Sequence, residues 1–159
     1  MTIDRLRGAV YAAEDSLRPL LVSGGVVDFH GSMLDVGPEL KFGTLAAADE
    51  YLEAIRLTGW GCADTPRPRL VHRRGPRKAT WTAPTTIAIP ADQQWAMRET
   101  VILHEYAHHV AFHRHGSSIH DRTFCTVLLD LVAGALSPAV ELLLRAALTD
   151  EGIFRAQQL

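Results

Sequence analysis

Cysteine is almost absent: the 159 residues hold two, Cys62 and Cys125, and no CxxC. That excludes a disulfide framework and leaves free thiols in a reducing compartment as the expectation. No apolar run reaches the roughly 18 residues of a membrane span, so no membrane partner is expected. The opening MTIDRLRGAVYAAEDSLRPLL is charged throughout and lacks the apolar core and small-residue cleavage site of a secretory signal, which points to the cytoplasm. Neither sign of charge dominates, with a formal net charge of −2. A protein that lives by blanket attraction to nucleic acid or an acidic surface is therefore disfavoured. No internal repeat or low-complexity tail is present.

What is present suffices for one compact core. The length and the 47% hydrophobic content fit a single domain over residues 1–159. Ile3, Leu6, Val10, Ala13, Leu17 and Leu20 recur at helical steps, predicting a helix over 3–22 that SGG interrupts. VVDF and MLDV flank the turn-like HGS and predict a hairpin. A second helix is expected over 44–60, capped by Thr44 and stopped by Gly59. TPRPRLVHRRGPRKATW reads as strand, turn and strand around Gly75-Pro76, and TTIAIP (85–90) as a further strand ended by Pro90. Asp92 is expected to cap the next helix, which runs to Gly116. TFCTVLLDLVAGAL predicts a buried helix opened by His120 or Asp121, and Ser137-Pro138 starts a last one. The class is α+β, with a small antiparallel or mixed sheet packed on helices.

Against this ordinary background one segment is dense in a single side chain. Val101–Phe124 carries six of the eight histidines. Within it lies His104-Glu105-Tyr106-Ala107-His108, an HExxH. Two histidines four apart project from one helix face, a turn apart, so their imidazoles can grip one ion. Glu105 lies beside that face. Zinc lowers the pKa of a water ligand toward roughly 7, and an adjacent carboxylate can take its remaining proton. The chemistry needs this set: neutral nitrogen donors, a base and an open coordination position.

Zinc in a catalytic site usually has three protein ligands, so a third is required. The HExxHxxGxxH pattern would need glycine at 111 and histidine at 114, where this chain has Ala111 and Arg114. His115 lies about 10 Å further along a continuous helix at about 1.5 Å per residue, and His113 fails similarly. His109 points about 100° off the metal face. His120 differs, because Gly116 ends the helix and GSSI can reverse the chain. The expected zinc ligands are His104, His108 and His120, with Glu105 as catalytic base. The remaining histidines are expected on the polar surface, with His109 or His113 able to line a cleft.

HEYAHH…IHDRTFCTVLLDLV resembles the SprT/WLM branch of the zincins, in which HExxH is followed by a histidine in an H-[GD]-x-x-F segment; here that segment is His120-Asp121-Arg122-Thr123-Phe124. More closely, the chain resembles small actinobacterial HExxH metallohydrolases, a group that the RLRGAVYAAEDSLRPL opening and the FG after the hairpin also fit. The resemblance implies a zincin-like peptidase fold with His120 as third ligand. It departs from the SprT crosslink-repair proteases in lacking a cysteine-rich zinc ribbon, so a DNA-repair role is not carried over.

The function expected is zinc-dependent hydrolysis of a peptide or protein substrate, with Tyr51, His72, His109 and Arg122 the candidates for a second electrophilic donor. TTIAIP precedes the metal helix and is expected to be an edge strand that pairs with extended peptide. Residues 67–78 hold six of the sixteen Lys and Arg, a cluster able to attract phosphate or acidic peptide. Two other readings are a non-catalytic module stabilised by zinc and a nucleic-acid-associated protein using the basic 67–78 segment. Glu105 argues against the first, since a purely structural site needs no base. Near-neutral net charge argues against the second.

Overall fold

A computed structural model describes residues 2–58 and 62–154. The fold is α+β: five helices and two small sheets in the order α1 (Arg7–Ser23), β1 (Gly25–Phe29), β2 (Ser32–Val36), α2 (Leu45–Arg56), β3 (Arg69–His72), β4 (Thr80–Thr82), β5 (Thr86–Ile89), α3 (Glu99–His115), α4 (Arg122–Ala135) and α5 (Pro138–Asp150). No helix among the described residues is long and apolar enough to cross a membrane. The chain gathers into two compact units, one built from residues up to Glu39 together with those from Ile119 onward, the other from Leu40–Ser118.

In the first unit α5 packs against both α1 and α4. Val10, Ala13, Leu17 and Leu21 form the buried stripe of α1, three or four residues apart as one helical face requires. The helix starts at Arg7 rather than at residue 3, and Ile3 is exposed. The reason lies in Asp4, whose carboxylate is committed to His120 and holds the preceding chain outside the helix. β1 and β2 pair antiparallel around His30-Gly31. Both turn residues have positive φ, 51° and 88°, which is what a two-residue hairpin turn matching the strand twist demands. Asp121 and Ser137 cap α4 and α5 by accepting from Phe124 N and Val140 N, contacts worth about 1 kcal/mol each. The α4 residues Phe124, Cys125, Val127, Leu128, Leu129, Leu131 and Val132 are buried, as its nearly continuous apolar sequence predicts.

The second unit holds a three-stranded sheet of order β3-β5-β4. β3 runs parallel to β5 and β4 antiparallel to it, so β3 and β4, although consecutive, are not neighbours. The sheet is thus mixed. It also corrects the expectation for TTIAIP: Thr86–Ile89 is the central strand, hydrogen-bonded on both sides, and cannot accept a peptide along an edge. Its Ile87 and Ile89 are fully buried, and a strand with such an apolar face gains most in the middle of a sheet. β4 is the strand that borders α3.

Thr44 caps α2 through Ala47 N, as expected. The helix ends at Arg56, and the expected stop at Gly59 lies outside the described residues. The start of α3 is also displaced. Asp92 caps nothing in the helix, which begins at Glu99 after a short 3-10 turn at Gln94–Ala96. Residues 97–99 are first engaged with the chain at 40–42: Phe42 N donates to Met97 O, Glu99 N to Leu40 O, and Lys41 bridges Arg98. Glu99 secures this junction with its side chain, accepting from Leu40 N at 3.1 Å and from the Tyr51 hydroxyl. The Met97 carbonyl is thus committed outside the helix, and the first carbonyl to accept within α3 is that of Arg98, from Ile102 N.

Candidate metal centre

α3 is buried on nearly every side, which is unusual for a helix with five histidines in its sequence. Leu103, Ala107, Val110 and Ala111 are inaccessible and anchor it within its unit. Against this anchored backbone the side chains of His104, Glu105 and His108 are held at 4%, 5% and 7% exposure. The rings of His104 and His108 meet edge to face with centroids 5.2 Å apart, as i,i+4 neighbours should. Trp81 of β4 stacks parallel to the His108 ring at 6.3 Å and tilts against Phe112 at 5.0 Å. The sheet therefore fixes one flank of the second histidine.

At its C-terminal end α3 stops where expected. Gly116 takes the left-handed conformation, φ 69° and ψ 12°, which costs a residue with a Cβ about 1–2 kcal/mol. Its N–H donates to Phe112 O, and Ser117 N to Ala111 O. Four residues later comes His120, 6% exposed. Ligand atoms of His104, His108 and His120 all lie within 4.8 Å of one another. The edge of a zinc tetrahedron drawn at a Zn–N distance of about 2.0–2.1 Å is roughly 3.3 Å, so small side-chain rotations suffice to close the group. These three buried histidines can hold a metal ion. Three neutral imidazole donors suit zinc, a borderline ion that favours nitrogen ligands.

Asp4, which sequence reasoning missed, completes the surroundings of His120. One carboxylate oxygen lies 2.7 Å from His120 Nδ1 and the other accepts from His120 N at 3.2 Å. The tilted ring of Tyr11 at 5.4 Å and the edge-on ring of Phe124 at 5.0 Å bracket the imidazole. No spacing signal could have found Asp4, because it is 116 residues from its partner.

The other histidines sort differently from the expectation. His115 is exposed, as predicted. His109 is neither polar surface nor cleft lining: it is inaccessible to solvent. Its Nε2–H donates to Pro66 O at 2.7 Å, which leaves Nδ1 to accept from Trp81 Nε1 at 3.4 Å. Burial pushes its pKa down, so it is a neutral tie between α3, β4 and the chain at Pro66. His113 reaches the Pro84 carbonyl at 2.6 Å. Tyr106 is inaccessible, and burial raises its pKa.

The four candidates for an electrophilic donor are engaged elsewhere. Tyr51 donates to Glu99, His72 Nδ1 accepts from Ala91 N, His109 bridges Pro66 and Trp81, and Arg122 Nε donates to Ile153 O. In the basic segment Arg67 pairs with Asp49 and Glu53, while Arg73 donates to Lys78 O and the Thr80 hydroxyl. Part of that cluster is therefore internal bracing. Cys62 and Cys125 are both buried and free, with the Cys125 thiol pushed up to about 12 by burial. Comparison with protein-family models, with curated proteins and with solved structures finds no match to this chain.

Proposed function

We propose that the protein is a zinc-dependent metallohydrolase acting on peptide or protein, with His104, His108 and His120 as ligands and Glu105 as general base. The observation that carries this reading is the buried three-histidine group centred on an HExxH helix. Among the described residues that group has three members, the number that catalytic zinc sites keep, whereas structural sites usually close with a fourth protein ligand. A zinc ion held there would acidify a water ligand and polarise a substrate carbonyl.

Everything else falls to the chain's own residues. On an ideal helix Glu105 is about 100° from His104 and about 60° from His108, so its carboxylate can stand beside the ligand face without joining it. There it takes the water's proton and returns it to the leaving amine, the two halves of general acid–base work. Its burial keeps competing solvent away from that exchange. Trp81 holds the His108 ring, and Asp4 the His120 ring. An extended substrate that adds to the sheet would do so along β4, which ends the strand order β3-β5-β4 and flanks α3. Two buried free thiols support a reducing compartment, the cytoplasm, as the setting.

The test is metal analysis combined with cleavage profiling on denatured proteome. Glu105→Gln should retain zinc and fold while hydrolysis disappears; His120→Ala should lose most of its zinc, and His115→Ala should keep it. Undiminished hydrolysis by Glu105→Gln would sink the mechanism. Equal zinc content in the two histidine variants would sink the ligand set.

A further inference from the structure

His104 and His108 need little help to share one ion, because a buried helix fixes both. His120 has no such support. It lies in the turn between α3 and α4, and its chain neighbour Asp121 has its own side chain engaged as the cap of α4 through Phe124 N. A histidine in a turn can rotate about both side-chain torsions and can carry its proton on either ring nitrogen. A usable ligand has to be fixed in orientation and in tautomer.

Asp4 meets both requirements. Its Oδ1 accepts from the His120 backbone N–H at 3.2 Å, which fixes the main chain, and its Oδ2 lies 2.7 Å from Nδ1, which fixes the ring. An ionised carboxylate only accepts. The proton of neutral His120 must then sit on Nδ1, and Nε2 is left with its lone pair. Tyr11 and Phe124 stand on the ring at 5.4 and 5.0 Å and limit its rotation. From this geometry we infer that Asp4 is the positioning residue of the metal centre, holding His120 as the Nδ1–H tautomer with Nε2 presented to the ion. The inference rests on the metal reading above and names a residue outside the HExxH segment that supports its third ligand.

Asn at position 4 keeps the shape but has one acceptor oxygen for two N–H donors, and its amide N–H₂ opposes the other. Ala removes both acceptors. The experiment compares wild type, Asp4→Asn, Asp4→Ala and Arg5→Ala, the last a control for disturbance of the same segment. Zinc affinity is measured by competition with a chromophoric chelator, and imidazole ¹⁵N shifts are recorded on the metal-free proteins. Both Asp4 variants should bind zinc roughly 10–100-fold more weakly, and Arg5→Ala should match wild type. In wild type, His120 Nδ1 should resonate as a protonated nitrogen and Nε2 as an unprotonated one; in Asp4→Asn that distinction should weaken. A purely structural Asp4 would not move the ring-nitrogen shifts in a variant that still folds.

An Asp4→Asn protein that binds zinc within threefold of wild type, or a wild-type His120 protonated on Nε2, overturns the inference. A wild type that binds no zinc overturns the metal reading and this inference with it. A wild type that binds zinc but cleaves nothing overturns the hydrolase reading alone, since affinity and tautomer are both read without turnover.

Discussion

Replacing Gly116 by Ala isolates the backbone cost of returning the chain toward His120. Gly116 has φ 69°, and a Cβ built there would meet nothing within 4 Å. Side-chain clash therefore contributes nothing, and the cost is that of a left-handed residue, about 1–2 kcal/mol. Stiffening the unfolded chain gives back only part of it, about 0.4–1 kcal/mol. A net loss near 1 kcal/mol lowers the midpoint of thermal unfolding by about 2–4 °C in a chain of this size. Asn, which tolerates the left-handed region through its own local hydrogen bonds, should lose less than half of that. Circular dichroism on the metal-free variants reads both shifts, and a parallel urea titration checks that the slope is unchanged. The strain is present with or without metal, so zinc affinity should stay within about threefold of wild type, well under the tenfold that 1.4 kcal/mol would give. If Gly116→Ala is as stable as wild type, or Asn as damaging as Ala, the left-handed cap is not what ends α3.

Two further predictions concern residues outside the proposed ligand set. His109→Ala removes an inaccessible ring and strands the Trp81 N–H and the Pro66 carbonyl; it should destabilise by about 2–4 kcal/mol, and a loss below about 0.5 kcal/mol in chemical denaturation would contradict its role as a core tie. Asp64 pairs with Arg114 through both carboxylate oxygens, and the guanidinium holds its carboxyl below the ordinary range. A depressed carboxylate stabilises the fold above its unfolded value, and that contribution disappears as pH falls through the lowered folded value. Asp64→Asn should therefore unfold at a slightly lower temperature than wild type at neutral pH and at the same temperature in strong acid; a gap that persists there would show that the pair acts through something other than charge.

How much of this was legible beforehand depended on whether the signal was local. His104, His108 and His120 follow from a four-residue spacing and a glycine break, and the caps at Thr44, Asp121 and Ser137 from the residues just after them. The start of α3 was misread because Phe42 and Leu40, more than fifty residues upstream, hold its first backbone groups. The alternation in TTIAIP identifies a strand, but only the pairing with both Arg69–His72 and Thr80–Thr82 makes it central, and periodicity carries no information on neighbours. His109 looked like a spare polar residue because helical angle says which way a side chain points and not what lies there. Asp4 was lost inside a helix drawn four residues too long.

The Asp4–His120 contact also orders events in time. The two residues are 116 positions apart, and translation at about 5–20 residues per second separates their appearance by roughly 6–23 seconds. His104 and His108 are made before His120, so a growing chain first offers an incomplete pair of nitrogens and then, sixteen residues after His104, the third. Asp4 waits throughout for a partner that does not yet exist. Under the proposed ligand set, metal captured early would be held by two ligands and released easily, and firm capture would wait until the first residues had met the α3–α4 turn. If the three-histidine group holds zinc as proposed, its uptake should report the meeting of the first residues with the α3–α4 turn, and a nascent chain arrested before residue 120 should not retain it.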